Sequence, residues 1–389
     1  MLIMTTIFHL DLDAFFVSVE RILDSSLIGK PVIVGANPKG RGVISACSYE
    51  AREYGLHSAM PIRQAFQLCP NGVYLRGHFN EYERYSKAVK NLLSKFAPEI
   101  EQASIDEFYL NFSGCQKIYG DFYLLAKFLQ STILKQLNLP VSIGIASNKS
   151  VAKIASDYKK PFGITMVKTG EEKIFLSNLP IQKMPSIGKV MQAEMNSKGI
   201  YTLGDLASLP IDFIALLYGK NGIELWNRAN GEGSVLFSTK HVQKNISKET
   251  TFKEDITNLT IIEEALFNLT SKVCQNMRDL NYFASTIAIK LRYSDFITIT
   301  KAKTFRPTND DRVIYQTALE LFRKAYTRRV AIRLIGVHLS KFVNASVQEQ
   351  LFESIEDKRK NMLEAVNFIR NKYGFKSIQI GEFANNSID

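Results

Sequence analysis

The sequence has little of what marks a secreted or membrane-bound protein. Its 389 residues include one tryptophan and four cysteines, and these show no paired spacing: Cys47, Cys69, Cys115 and Cys274. That usage predicts reduced thiols and neither a disulfide framework nor a zinc site. No apolar run approaches the roughly 20 residues that span a bilayer, and the N-terminus shows no features of a secretion signal. We therefore expect a cytoplasmic protein without a membrane partner.

Internal repeats and low-complexity tracts are also absent, so the chain is expected to fold into ordinary globular domains. Its length is enough for two to four of them, and the 46% hydrophobic and 22% charged residues are typical of such proteins. The net charge of +11 is compatible with a polyanionic partner, since basic clusters bind phosphate backbones. A basic protein without such a partner is the alternative, and charge alone does not choose between them.

Two neighbouring carboxylates, Asp106 and Glu107, begin an alternating apolar stretch in which Phe108 and Leu110 share one face. Such alternation predicts a half-buried strand. Adjacent anions repel each other and lose hydration when buried, so they usually serve a cation. Oxygen ligands favour Mg²⁺, and both side chains reach one ion only where the strand starts or bends. A solvated hairpin tip is the alternative.

A second acidic stretch lies near the N-terminus, where residues 7–13 alternate between apolar and polar side chains. This pattern predicts a strand with Asp11 and Asp13 on its polar face. We expect Asp13 to cap the helix that follows, because aspartate is a favoured N-cap residue. Asp11 lies inside the strand among apolar neighbours, where an unpaired carboxylate would be costly. It is therefore the stronger candidate for a metal ligand.

The remaining patterns predict an α+β chain of several parts. Strand and helix signals up to about residue 158 alternate as in a ferredoxin-like palm. Residues 184–200 resemble a helix-hairpin-helix, which offers backbone N–H groups to a DNA phosphate, although a plain helical turn is the alternative. Residues 232–248 are polar and predict a linker. Beyond it lies a compact α+β unit whose strands carry basic residues, either as a groove-tracking surface or as solvated strand faces.

Together these features describe template-directed nucleotidyl transfer. The carboxylates Asp11, Asp106 and Glu107 can hold two Mg²⁺ ions, which activate an attacking hydroxyl and stabilise the leaving pyrophosphate. Arg52 and Lys160 are cations suited to a triphosphate. A basic C-terminal half can bind nucleic acid.

The sequence resembles the Y-family, or translesion, DNA polymerases of the bacterial polymerase IV class. The matching segments are Asp11–Glu20, Ser48–Arg52, Ser104–Glu107, Gly144–Lys149 and Lys160–Gly163. The resemblance implies a multidomain right-hand polymerase with a palm (1–14 and 79–168), small fingers (15–78), a helix-hairpin-helix thumb (169–232), a linker (233–248), an α+β little finger (249–344) and a tail (345–389). It also implies low fidelity without proofreading, in DNA damage tolerance and repair.

The resemblance assigns roles residue by residue. It implies metal ligation by the three carboxylates with help from the Leu12 carbonyl, and two Mg²⁺ ions, with Mn²⁺ as a substitute. Phe16 falls at the steric gate, whose ring excludes a ribose 2′-hydroxyl. The implied contacts to the incoming dNTP are Phe15, Phe16, Tyr49, Arg52 and Lys160. The expected contacts to primer-template DNA are Gly188, Lys189, Lys290, Arg292, Arg306 and Arg333.

The sequence departs from the family pattern at two positions and contains one further motif. Ala46 stands where the family often has a threonine that contacts the triphosphate, and Ser45 is the neighbouring hydroxyl. Ser186 stands for the first glycine of the usual Gly-Ile-Gly hairpin. The peptide Gln348–Phe352 resembles a sliding-clamp-binding motif, with Gln348, Leu351 and Phe352 as its contacts.

Three rival hypotheses remain at this point. They are a palm-fold cyclase, a catalytically impaired relative that binds only DNA and clamp, and the catalytic subunit of a polymerase V-like complex that needs accessory proteins. The intact carboxylates argue against an impaired enzyme, and a cyclase would have no use for the hairpin or the basic C-terminal sheet. We expect a monomer.

Overall fold

The computed structural model describes residues 5–238, 243–344 and 355–378. The chain divides into two compact units, Met1–Lys240 and His241–Asp389. In the described parts of both units, every helix is too short or too polar to cross a membrane.

A five-stranded sheet forms the centre of the first unit, in the order β5-β6-β1-β7-β8. Its strands are β1 (Ile7–Leu12), β5 (Glu99–Gln102), β6 (Glu107–Asn111), β7 (Val141–Ala146) and β8 (Ile164–Met166). One face packs on helices α4 (Phe79–Leu93) and α6 (Phe122–Leu137), and α7 (Lys149–Tyr158) covers the other. Alternate residues of β1 therefore face different helices, which places His9 and Asp11 on the α7 side.

A smaller sheet in the same unit has the order β3-β2-β4. It contains β2 (Val32–Gly35), β3 (Ile44–Cys47) and β4 (Val73–Leu75), with helices α1 (Phe15–Leu23), α2 (Tyr49–Arg52) and α3 (Ile62–Leu68). Its apolar cluster is small and includes Ile33, Ile44, Leu56 and Ile62.

Helices α8 (Glu172–Ser177), α9 (Lys189–Ser197), α10 (Leu203–Ser208) and α11 (Ile211–Ala229) follow the large sheet in the chain, and α9 lies within the residues predicted to form a hairpin. The short helix α5 (Gln116–Tyr119) lies between β6 and α6. A reciprocal capping box between Thr202 and Asp205 starts α10. A kink at Gly219, whose φ is 58°, divides α11.

The second unit is built on a four-stranded antiparallel sheet in the order β11-β10-β12-β9. The strands are β9 (Asn245–Ile256), β10 (Tyr282–Tyr293), β11 (Thr298–Thr308) and β12 (Ile332–Asn344). Helices α12 (Leu259–Asp279) and α13 (Asp311–Ala325) cover one face. Helix α14 (Ile355–Tyr373) contacts α12 through a hydrogen bond: Arg278 of α12 donates to Asn367 Oδ1 of α14 at 2.9 Å.

The structure corrects two details of the sequence predictions. Asp13 does not cap α1; Ala14 occupies that position with a left-handed φ of 43° and no capping side chain. The stretch 232–248 is not wholly without structure, since β9 begins at Asn245. Its first part also contacts the large sheet region, where Lys149 Nζ donates to the Leu236 carbonyl at 2.9 Å.

Helix α7 lies unusually close to β7 because Gly144 has no side chain. A Cβ atom added there would lie 2.0 Å from the Ala152 carbonyl oxygen. We expect Gly144→Ala to lower the free energy of unfolding by about 1–3 kcal/mol, since backbone atoms must move to admit the methyl group. Thermal unfolding measures this loss. Gly188→Ala is the matched control, because its added Cβ would meet nothing within 4 Å. Equal melting temperatures for the two variants would contradict the prediction.

Candidate active site

The register of the large sheet brings the three predicted carboxylates together. Asp11 lies opposite Glu107 in the antiparallel pairing of β1 with β6. Asp106 is the residue before β6, and its carbonyl accepts a hydrogen bond from the Leu12 N–H at 3.1 Å. Glu107 begins the strand, so the two neighbouring acids stand where the chain leaves a turn. The two acids thus stand at the start of a strand, the place where the sequence analysis expects both side chains to reach one ion.

The charge of Asp11 is unfavourable in this position. Burial raises the pKa of Asp11 to about 6, and the nearby charges of Glu107 and Asp106 act in the same direction. The ammonium group of Lys160 opposes this shift, with Nζ 2.7 Å from Asp11 Oδ2. A carboxylate in such surroundings is stabilised in its ionised form by a cation.

The other two carboxylates also have fixed partners. The Ser104 hydroxyl contacts the Asp106 carboxylate, while its oxygen accepts the N–H of Glu107 at 3.1 Å. Lys153 Nζ lies 2.5 and 2.6 Å from the two carboxylate oxygens of Glu107. Behind them, burial together with the Lys153 and Lys160 charges lowers the pKa of His9 well below its usual value. His9 is thus a neutral neighbour of the acids.

The carboxylate oxygens of these residues are suitable ligands for a hard divalent cation, although the three side chains do not converge on one point. Among the described residues, no group of three His, Cys, Asp or Glu side chains is arranged to hold a metal ion. Asp11 and Glu107 each bind a lysine instead. The donor set is nevertheless three adjacent carboxylates with oxygen ligands only, and burial penalises the one that lies inside a strand. A divalent cation suits them once the carboxylates leave their lysines.

A cleft of about 200 Å³ opens beside the carboxylates. It contains every residue predicted to contact the nucleotide, together with two of the acids; its lining is Asp11, Leu12, Ala14, Phe15, Phe16, Ser45, Ala46, Tyr49, Arg52, Ser58, Asp106 and Lys160. Glu107 lies outside this lining and faces Lys153. The cleft therefore joins residues from the large sheet, from α1 and from the small sheet.

The cationic side of the cleft is formed at α2. Tyr49 and Arg52 share one helix face, and the guanidinium lies 4.4 Å from the centre of the Tyr49 ring. The Tyr49 hydroxyl donates to Asp13 Oδ1 at 3.3 Å. Ser48 starts the helix by accepting the Ala51 N–H. Arg52 remains exposed, so its planar donors can face a phosphate group.

Asp13 has a different role from the one that its sequence position predicts. The carboxylate accepts hydrogen bonds from the Ser142 hydroxyl at 2.9 Å and from the Phe162 N–H at 2.8 Å. Together with the hydrogen bond from Tyr49, these bonds make Asp13 a shared acceptor for β7, the segment after Lys160 and α2. Local capping preference could not reveal this, because all three donors are distant in the chain.

The structure adds residues that the sequence analysis missed. Ser58 lines the cleft and, with Ser45, supplies a hydroxyl near the position of Ala46. Lys153 neutralises Glu107 from α7. No local spacing links Lys153 to Glu107, which is 46 residues away in the chain, and a lysine on a helix is more often solvated. Only the close packing of α7 on Gly144 places it beside the acids.

The predicted DNA-contact residues of the first unit lie at the start of α9. Gly188 precedes the helix and Lys189 is its first, exposed residue. Ser186 adopts a left-handed φ of 80°, a conformation that costs a non-glycine residue about 1–2 kcal/mol. The serine that replaces the usual glycine therefore occupies a strained turn.

The predicted DNA-contact residues of the second unit lie on its sheet. Lys290 and Arg292 alternate with buried residues of β10 and so face away from α12 and α13. Lys290 contacts Glu249 at 2.8 Å, which offsets part of its charge. The Arg333 guanidinium lies 4.5 Å from the centre of the Phe296 ring. Arg306 is exposed on β11, and Gln348, Leu351 and Phe352 lie outside the described residues.

Family models match three parts of the chain. The model of the impB/mucB/samB family matches residues 10–157, and the model of that family's C-terminal domain matches residues 243–351. The helix-hairpin-helix motif of the same family matches residues 169–200.

Individual relatives agree with these models. The chain is 40% identical to a DNA polymerase IV of Listeria monocytogenes over 85% of this chain and 93% of the relative. It is 39% identical to a DNA polymerase IV of Dehalococcoides mccartyi over 96% of both chains. Among solved structures, a chimera of the Y-family polymerases Dbh and Dpo4 matches with a TM-score of 0.79 and 29% identity, covering 87% of this chain and 99% of that one. An insertion ternary complex of Dbh DNA polymerase matches with a TM-score of 0.60, at the same identity and coverage.

The chain therefore belongs to the impB/mucB/samB family, the Y-family DNA polymerases. Membership makes it a DNA-directed DNA polymerase of the translesion class, and the two relatives described above are named DNA polymerase IV. The family and the right-hand α+β fold class predicted from the sequence are confirmed. The cyclase, polymerase V-like and impaired-relative hypotheses are not favoured.

Proposed function

We propose that the chain adds dNMPs to a primer 3′-hydroxyl at the cleft beside β1 and β6, with Asp11, Asp106 and Glu107 as the catalytic carboxylates. The alignment of Asp11 with Glu107 across two paired strands is the observation that carries this assignment. Two Mg²⁺ ions, or Mn²⁺ in their place, supply activation of the attacking hydroxyl and charge stabilisation at the leaving pyrophosphate when bound. The Leu12 carbonyl is the additional oxygen donor.

The other residues of the cleft bind the incoming nucleotide. Arg52 and Lys160 neutralise the triphosphate, and Tyr49, whose hydroxyl donates to Asp13 in this structure, is its third contact. Lys160 also binds Asp11, so a triphosphate would draw this lysine away from the acid and free the carboxylate. Phe15 and Phe16 meet the sugar, with Phe16 as the steric gate. Ser45 and Ser58 stand in for the hydroxyl that Ala46 lacks.

The presence of two separate sheets in the first unit supports a division of that unit into palm and fingers. We assign the palm to 1–14 and 79–168, the fingers to 15–78, the thumb to 169–232 and the tail to 345–389. Because β9 begins at Asn245, the linker is shortened to 233–244 and the little finger is extended to 245–344. Primer-template DNA is held by the hairpin at Gly188 and Lys189 and by Lys290, Arg292, Arg306 and Arg333 of the little finger. The enzyme acts as a monomer in the cytoplasm, and a sliding clamp binds the peptide from Gln348 to Phe352.

Removal of one carboxylate tests the metal site. We expect Asp106→Ala to reduce primer extension by about a thousandfold or more, because charge stabilisation of the phosphoryl transfer is worth several kcal/mol. Primer-template affinity should change little, since DNA is held elsewhere. Extension of a labelled primer with Mg²⁺ and single dNTPs measures the first quantity and fluorescence anisotropy the second. Glu83→Ala, an exposed acid of α4, is the control; substantial synthesis by Asp106→Ala would refute the assignment.

Replacement of Phe16 tests the steric gate. We expect Phe16→Ala to raise ribonucleotide incorporation by at least about tenfold, because the ring no longer meets the 2′-hydroxyl. Single-nucleotide kinetics with paired dNTP and rNTP substrates give the discrimination ratio. Phe128→Ala removes a half-exposed ring of α6 outside the cleft and should leave that ratio unchanged. A Phe16→Ala ratio equal to that of the unmutated enzyme would place the gate elsewhere.

Deletion of the peptide tests the clamp partner. We expect loss of Gln348–Phe352 to reduce clamp-stimulated synthesis by at least about tenfold, since an apolar anchor pair in a pocket dominates such contacts. Synthesis without clamp should be unaffected. Primer extension on a long template, with and without purified bacterial clamp, separates the two. Glu353→Ala is a control just beyond the peptide, and an equal loss with and without clamp would contradict a clamp-binding role.

A further inference from the structure

The ring of Phe16 does not stand alone in the cleft wall. It stacks on Tyr82 of α4, with ring centres 4.3 Å apart and planes 10° from parallel. Phe79 contacts both rings edge-on, at 5.5 Å from Phe16 and 5.4 Å from Tyr82. Tyr82 is fully buried, whereas Phe16 is only half-buried and lines the cleft. The position of Phe16 therefore depends on a ring that no nucleotide can touch.

A buried carboxylate holds the far end of Tyr82. The Tyr82 hydroxyl donates to Glu20, which is 3% exposed. The same carboxylate accepts the backbone N–H of His78 at 3.1 Å and lies 3.0 Å from the His78 ring nitrogen Nδ1. Burial and the bond to Glu20 raise the pKa of Tyr82, so its hydroxyl stays protonated as a donor. Hydrogen bonds from a neutral donor to a buried carboxylate are among the stronger ones in proteins.

Glu20 and Phe16 are four residues apart on α1 and share one face of that helix. Tyr82 spans the turn between them, with its ring against Phe16 and its hydroxyl on Glu20. It has little room to shift: a Cβ added to Gly77 would lie 2.5 Å from the Tyr82 hydroxyl oxygen. The Tyr82 ring is thus held in one orientation by its contacts with Phe16 and Glu20 on α1 and by the close approach of Gly77 to its hydroxyl.

From this geometry we propose that Glu20 is a positioning residue for sugar selection, which fixes Phe16 in place through Tyr82. The inference rests on the proposed role of Phe16 as the gate. A steric gate discriminates only if its ring cannot retreat when a 2′-hydroxyl presses against it. The stack supplies the surface behind Phe16, and the Tyr82–Glu20 hydrogen bond keeps that surface from moving. Without the bond, only packing holds Tyr82, and the Phe16 ring stacked on it can tilt away from the cleft more easily.

Two variants separate this role from simple stability. Tyr82→Phe keeps the stacked ring and removes only the hydroxyl, and Glu20→Gln keeps the shape and removes the charge. We expect Tyr82→Phe to lower the ratio of kcat/KM for dNTP over rNTP by about tenfold, as for loss of one hydrogen bond to a charged group. Glu20→Gln should lower it by less, because the amide oxygen of glutamine still accepts from the Tyr82 hydroxyl. The efficiency with the ribonucleotide itself should rise, which a partly unfolded enzyme cannot produce. Tyr119→Phe is the matched control. The Tyr119 hydroxyl donates to the Phe96 carbonyl over 2.6 Å, and neither residue lines the cleft.

The combination with Phe16→Ala completes the test. If Glu20 acts through the gate, Phe16→Ala/Tyr82→Phe should show the same ratio as Phe16→Ala alone, since nothing remains to be positioned. An unchanged ratio in both single variants, with a lowered ratio in Phe16→Ala, would overturn the proposal and leave the gate intact. Equal losses with both nucleotides would overturn it too, as would additive effects in the double variant. If Phe16→Ala itself keeps full discrimination, the gate assignment fails and the proposal fails with it, while dNTP incorporation still establishes the polymerase.

Discussion

The active site depends on the antiparallel pairing of β1 with β6, which sets Asp11 directly across from Glu107. A shift of one residue in that register would turn Asp11 to the apolar face, because side chains alternate along a strand. The buried residues that flank Asp11, Leu10 and Leu12, prevent such a shift by packing on α4 and α6. The alternation of apolar residues that forms the core therefore also sets the direction of the Asp11 side chain.

Bringing three acids to one edge creates a repulsion that the protein must offset. Two lysines do so, Lys160 at Asp11 and Lys153 at Glu107. Both approach from α7 or from the segment after it, and α7 can come close only because Gly144 has no side chain. An ammonium group is a point charge on a flexible stem, so under the function proposed above each lysine would release its carboxylate to a divalent cation. The contacts that offset the repulsion in this structure are thus the ones that such a cation would replace.

Much of this architecture could be predicted from local patterns. The strand at Val141–Ala146 and the helices of both units follow from apolar periodicity, which reports burial directly. Prediction failed where a polar side chain serves distant partners. Asp13 has the position of a helix cap, yet its carboxylate binds donors up to 149 residues away in sequence. Phe16 is placed at the gate only through the family resemblance, and the structure shows that its ring lines the cleft.

The sequence by itself determined the family, because the resemblance rests on contiguous motifs, and it predicted which acids and which cleft-lining residues to examine. Tertiary structure decided which groups surround them. Lys153, Ser58 and the Glu20–Tyr82 support of Phe16 come from separate elements, and no spacing rule links residues that meet only after folding. The reason is physical: charge neutralisation and ring orientation depend on distances of a few ångströms between chain segments, and those distances exist only in the packed state.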